Sequence, residues 1–221
     1  MTARIKIDFV SDVSCPWCAV GLASLEGALS RLDGELEADI HFQPFELNPD
    51  MPPEGQNTVE RLSRKYGMTP EQVRHNGEVI TARGREVGFT FNMDKRTHTY
   101  NTFDAHRLLH WAGLEGHQLN HQLNLKHALL KAYFTDGENP SAHDVLVRLC
   151  GESGLDVERA RAILDSDEYA ADVRERERFY AQQGIQSVPS IILDDRHLVQ
   201  GGQPPEVFER VLRQVAGVAA S

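Results

Sequence analysis

The sequence predicts an α/β protein that opens as a strand-helix-strand unit, closes as a strand-strand-helix unit and carries a large all-helical insertion between them. Three observations predict it. Apolar and polar residues alternate near both ends of the chain, a long middle stretch shows helical spacing and almost no strand pattern, and a cluster of Pro and Gly residues stands where the first regime gives way to the second.

Ile5, Ile7 and Phe9 alternate with Lys6 and Asp8 ahead of Val10 and Val13, which is the period of a strand ending near Ser11. From Pro16 the spacing becomes helical, with Val20, Leu22, Leu25, Ala28, Leu29 and Leu32 on the apolar side and Asp33-Gly34 as the stop. Alternation returns over Ala38–Phe45 as a second strand. The run Asn48-Pro49-Asp50-Met51-Pro52-Pro53-Glu54-Gly55 concentrates turn formers and marks a boundary.

Beyond it, Thr69-Pro70-Glu71-Gln72 combines an N-cap, a Pro at the first helical position and a Gln three residues after the cap. Further helices are expected over Thr102–Ala112, Gln118–Phe134, Ser141–Ser153 and Asp156–Ala181, the last with a break near Asp165. Strand character returns at Val188–Leu193, turns at Asp194-Asp195 and continues over His197–Val199 as a hairpin ending at Gly201-Gly202. A closing helix from Pro204 to Val215 carries Val207, Phe208, Val211, Leu212 and Val215 at core spacing. The chain divides into residues 1–55, a helical insertion over 56–183, and residues 184–221. Without the insertion the order is βαβ then ββα, that of a thioredoxin-like fold.

With 221 residues, 40% of them hydrophobic and 25% charged, the chain has material for a sizeable core. A formal net charge of -10 with interspersed cations offers no basic patch, which argues against nucleic acid as a partner. No stretch approaches the roughly 20 apolar residues of a membrane span. Ile5–Val13 is interrupted by Lys6, Asp8 and Asp12 and does not read as the apolar core of a signal peptide, so a cytoplasmic location is expected. In a reducing compartment two close cysteines are more often catalytic or metal-binding than a structural staple.

Those cysteines form Cys15-Pro16-Trp17-Cys18, placed where the first strand gives way to the first helix. A sulfur at a helix N-terminus faces unpaired backbone N–H groups and the positive end of the dipole, which favour thiolate over thiol. Cys15 is therefore the expected nucleophile. Cys18, one turn further on, is the expected resolving thiol, attacking the mixed disulfide to release product. Pro16 suits the first helical position and Trp17 offers an apolar flank. A zinc site would need two further ligands at suitable spacing, and a purely structural pair would leave Pro16 and the helix-start position unexplained. Val188-Pro189, directly before an apolar strand, is the expected cis peptide and partner loop, with the Val188 backbone available to an extended substrate.

These residues resemble the DsbA-like branch of the thioredoxin superfamily, and more narrowly its FrnE-like members, relatives of 2-hydroxychromene-2-carboxylate isomerases and kappa-class glutathione transferases. The resemblance spans nearly the whole chain, on Asp8–Val13 running into Cys15–Cys18, Pro44–Pro49, Asn101-Thr102 through Ala105–Leu108, and Val188-Pro189-Ser190. It implies that Cys15 and Cys18 are the redox pair and Pro189 the cis-Pro. The isomerase and transferase relatives commonly carry Ser where Cys15 stands and bind glutathione there. Some thioredoxin-fold enzymes keep a buried acid six residues before the nucleophile; Phe9 stands there, leaving Asp12 or Glu46 as candidates for a proton relay.

The expected function is dithiol-disulfide exchange or isomerisation on disulfide-containing proteins or small thiols, with no tightly bound cofactor, glutathione as a possible co-substrate, and neither nucleic acid nor membrane as partner. The alternatives are a glutathione-dependent isomerase or transferase of an aromatic or polyketide-like molecule, and a holdase using the helical insertion. The spaced pairs His106/His110 and His117/His121 read as helix faces rather than metal ligands, while His98 and His106 are candidates to line the cleft. Asn48 and the Gln200-Gly201-Gly202 turn are candidates for the cleft edge. Cys150 reads as a packed core residue and Arg174–Arg178 as a solvated helix face.

Overall fold

The structure is a computed structural model describing residues 2–52, 54–115 and 120–218. Its central strand β1 (Ala3–Ser11) is buried from Ile7 through Ser11 and lies between two partners. β2 (Leu36–Pro44) runs parallel to it, pairing Phe42 with Phe9, and β5 (Ser190–Leu193) runs antiparallel, pairing Ile191 with Phe9. A parallel neighbour needs a crossover, supplied by α1 (Pro16–Arg31). β6 (His197–Gln200) completes the sheet order β2-β1-β5-β6. Asp194 and Asp195, both at positive φ, make the tight β5–β6 turn.

α1 packs on α9 (Pro205–Ala216), and both share a core with the sheet: Ile5, Ile7, Phe9, Leu22, Leu25, Ile191, Leu193, Phe208 and Leu212. That core also takes in Phe91, Leu130, Tyr133 and Phe134 from the helical stretch between β2 and β5. A second core joins Leu108, Trp111, Leu125, Leu129, Leu146 and Ile163 to Val13, just past β1.

The helical stretch holds α2 (Thr58–Tyr66), α3 (Pro70–Glu86), α4 (Phe103–Leu114), α5 (His121–Lys131), α6 (His143–Glu152), α7 (Val157–Leu164) and α8 (Ala170–Gln182). The capping box at Thr69 forms as its sequence implies, Thr69 Oγ1 accepting from Gln72 N while Gln72 Oε1 accepts from Thr69 N. A two-residue ladder pairs β3 (Gln56–Asn57) with β4 (His98–Thr99), too short to show a period in sequence. The helix expected to reach Phe134 ends in a π-helical turn, Ala132–Asp136, and its expected start at Gln118 lies outside the described residues. The break near Asp165 is held by Arg107, buried on α4, which donates to the carbonyls of Ile163, Ser166 and Glu168. The strand expected from Val188 begins at Ser190, because Pro189 has no N–H for the ladder. Among the described residues no helix is long and apolar enough to cross a membrane.

Candidate active site

Cys15 is the N-cap of α1, in extended geometry (φ -93°, ψ 113°), with Pro16 opening the helix. A first helical turn leaves its backbone N–H groups without intrahelical partners. Here the Cys18 amide donates to the Cys15 carbonyl at 3.1 Å, and the amides of Cys18 and Trp17 and the thiol of Cys18 favour the Cys15 thiolate by their proximity rather than through a formed cap bond to the sulfur. The Cys18 thiol acts most strongly in lowering the Cys15 pKa below that of an ordinary thiol, against the opposing effects of burial and the Asp12 carboxylate; the two amides add to the lowering. Cys18 is fully buried, and burial, reinforced by the neighbouring Cys15 sulfur, pushes its pKa well above the ordinary thiol range. The two sulfurs of one motif are thus set in opposite directions.

The Val188–Pro189 peptide is cis, and the Cys15 thiol donates to the Val188 carbonyl at 3.6 Å. This loop fits closely on α1, since a Cβ added at Gly21 would stand 3.1 Å from Pro189 Cγ. Gly201 N donates to Pro189 O at 2.9 Å, and a Cβ on Gly202 would approach Trp17 O to 3.0 Å. The Gln200-Gly201-Gly202 turn therefore braces the Pro189 loop from behind and does not line the cleft edge, a correction to the sequence reading.

In front of the dithiol lies a cleft of about 1570 Å³. Cys15, Pro16, Trp17 and Val188 line one side, with Trp17 36% exposed. Across from them are residues of α2 and α3 and the 91–99 loop, among them Arg61, Lys65, Lys95 and Arg96. Asn48 does stand on this cleft, where Oδ1 accepts from Arg61 at 3.0 Å and Lys65 at 3.3 Å.

Behind the dithiol is a set of buried polar groups. Asp12 Oδ1 accepts from Ser14 N at 3.1 Å and Oδ2 from Leu47 N at 2.7 Å, tying the end of β1 to the segment after β2. His106 Nε2 stands 3.6 Å from Asp12 Oδ1. Burial acts most strongly on Asp12, raising its pKa, but His106 and the two backbone donors together hold it below the usual carboxylate value. His106, 3% exposed, is thus part of the wall behind the thiols, and neither it nor His98 lines the cleft, against expectation. His98 instead bonds Thr97 Oγ1 through Nδ1 at 3.0 Å and accepts from Tyr133 through its carbonyl. His117 lies outside the described residues. No group of three or more His, Cys, Asp or Glu side chains among the described residues is arranged to hold a metal ion.

Glu46 lines the cleft but is nearly buried, and burial raises its pKa despite its ion pair with Arg174. Arg174 also pairs with Glu177 and lays its guanidinium 3.9 Å from the Phe103 ring centroid. Through Glu46 it also ties α8 to the segment after β2, while the i,i+3 pair with Glu177 and the exposure of Glu175, Arg176 and Arg178 agree with the solvated face expected of this run. Phe9 is fully buried, its ring 5.6 Å from that of Phe42. Cys150 lies in the second core, where burial pushes its thiol up to about 12.

Sequence reasoning missed Lys126. On α5, it is fully buried with no hydrogen-bond partner for Nζ, which lies 5.5 Å from the centroid of the Phe42 ring. The available signal was a cation among Leu123, Leu125, Leu129 and Leu130, at a position the apolar face would otherwise take.

Comparison with known proteins agrees with this architecture. A model of the DSBA-like thioredoxin domain matches residues 6–213. The chain is 29% identical over 213 residues to the uncharacterized protein YwbO of Bacillus subtilis (strain 168), covering 96% of each. The crystal structure of a probable DsbA oxidoreductase from Streptomyces coelicolor superposes with a TM-score of 0.87 at 34% identity, over 98% of this chain and 92% of that one. The cytosolic disulfide reductase DsbM from Pseudomonas aeruginosa, solved with GSH, shares the fold at a TM-score of 0.64 and 17% identity, over 96% of this chain and all of that one. The chain belongs to the DsbA-like thioredoxin domain family of thiol-disulfide oxidoreductases.

Proposed function

We propose that the protein is a cytoplasmic dithiol-disulfide oxidoreductase acting on disulfide-containing proteins or small thiols, with Cys15 as nucleophile and Cys18 as resolving thiol. The observation that carries this reading is the opposite setting of the two thiols, one lowered at a helix N-terminus beside a cleft and one raised in the core. The Cys15 thiolate attacks a substrate disulfide, and the departing thiolate leaves into the cleft. Cys18 then attacks the Cys15 sulfur of the mixed disulfide.

When Cys15 ionises it no longer donates to Val188 O, so that carbonyl is free for an extended substrate to join as an added strand. Pro189 presents Val188 in this role, and Pro16 and Trp17 contact the bound chain. Arg61, Lys65, Lys95 and Arg96 suit a guest bearing carboxylates, and glutathione, present with DsbM, is the proposed small-thiol co-substrate. Residues 56–183 act as an insertion that supplies the far wall of the cleft.

Replacing Cys15 with Ser is expected to reduce disulfide reductase activity to background, whereas Cys18→Ser is expected to accumulate a mixed disulfide detectable by mass. Full activity in Cys15→Ser would overturn the assignment, and glutathione-dependent turnover surviving Cys18→Ser would indicate the isomerase chemistry instead.

A further inference from the structure

A Lys with no exposed surface and no hydrogen-bond partner is costly to keep, because an ammonium taken from water regains little from an apolar wall. Its surroundings here are specific. Nζ lies above Phe42, whose ring packs on Phe9, and both rings belong to the core that contains Cys15 and Cys18. The charged and titratable groups bearing on it are Cys18, Asp12 and Cys15, while His106 and His110 line the same small void beside Phe42, Gln43 and Pro44. Asp12 is already bonded by two backbone amides and flanked by His106. On the β1 side Phe9 offers no charge.

We infer that Lys126 is a positioning residue for the dithiol, its buried ammonium serving as counter-charge to the Cys18 thiolate during mixed-disulfide release and biasing the pair toward its reduced form. The inference rests on the dithiol reading above. In the step concerned, the Cys18 proton has been lost to bulk water, and the Cys18 thiolate attacks the Cys15 sulfur. The Cys15–Cys18 bond forms, the bond from Cys15 to substrate breaks, and the substrate sulfur leaves as a thiolate with the electron pair. The dithiol has lost two electrons and the substrate disulfide has gained them.

Afterwards neither thiolate remains, and Lys126 keeps only Asp12 as a nearby negative charge. A charge held better in the reduced than in the oxidised protein favours the reduced protein by the same free energy.

The test compares wild type with Lys126→Met and Lys126→Gln. Equilibration against glutathione buffers is expected to shift at least tenfold toward the disulfide in both variants, about 30 mV to lower potential. The pH midpoint of mixed-disulfide release is expected to rise by about one unit. A folded variant with unchanged equilibrium constant and unchanged midpoint overturns the inference. Should neither variant fold, nitrogen-15 NMR of the Lys126 ammonium in the wild type decides: its pKa is expected to fall by at least one unit on oxidation, and equal values overturn the inference. These readouts follow the cysteine pair and need no physiological substrate. Failure of the functional reading shows separately, as activity retained by Cys15→Ser.

Discussion

The two ends of β1 lie in the same sheet but in opposite surroundings. At the start of the strand, Ile5 and Ile7 meet Leu193, Leu25, Phe208 and Leu212, all buried and apolar. At its finish, Asp12, Glu46, His106 and Lys126 are each 9% exposed or less, around and behind two thiols. The first arrangement stabilises through the area it removes from water. The second keeps charges where burial penalises them, a pattern found where ionisation is part of function. One end of the strand builds the fold and the other sets the chemistry.

The largest expected effect comes from the apolar end. Phe208, fully buried between α9 and the sheet, is expected to cost about 3–5 kcal/mol of stability as Phe208→Ala, read as a lowered denaturation midpoint. The reduction potential of the pair should stay where it is. A potential that moves with Phe208→Ala would erase the division between the ends.

Next in size is Asp12→Asn. Asp12 makes two hydrogen bonds that tie the end of β1 to the segment after β2, and weakening charge-assisted bonds is expected to cost about 1–3 kcal/mol at neutral pH. The effect should depend on pH in a defined direction. The folded pKa of Asp12 lies below its unfolded value, so its contribution is complete above roughly pH 4 and is lost as pH falls through the folded pKa. Denaturation midpoints of wild type and variant should converge in acid; a constant gap would show that the stabilisation does not come from the charge.

The same division explains what was legible in the sequence. Ile5, Ile7, Phe9 and the hairpin residues Ile191 and Leu193 announce themselves by alternation, because a strand buried beneath helices needs apolar side chains at fixed spacing. Cys15, Pro16 and Cys18 are legible for a related reason, since their chemistry depends on local spacing at a helix start. Lys126 is not, and His106 is legible only as a candidate for the cleft and not for the wall behind the thiols, because they sit 108 and 88 positions beyond Cys18, and only the packing of α4 and α5 on β2 brings them behind the dithiol. Arg107 and Arg174 each bond to groups on other elements, which local spacing does not show.

The smallest expected effect is at Cys150, which serves as a control on Cys15. Both are buried free cysteines, so burial alone does not separate them. Cys150 lies near the end of α6 among Leu146, Leu149 and Ile163, where burial is the sole cause of its raised pKa and no group favours the thiolate. Cys15 is buried too, yet the Cys18 thiol and two amides of the first turn overcome that penalty. At pH 7.5, iodoacetamide is therefore expected to label Cys15 far faster than Cys150 in the reduced protein, read by peptide mass. Cys150→Ala is expected to cost about 1 kcal/mol and leave the rates of disulfide exchange unchanged. Comparable labelling of the two would mean that the helix start does not activate Cys15.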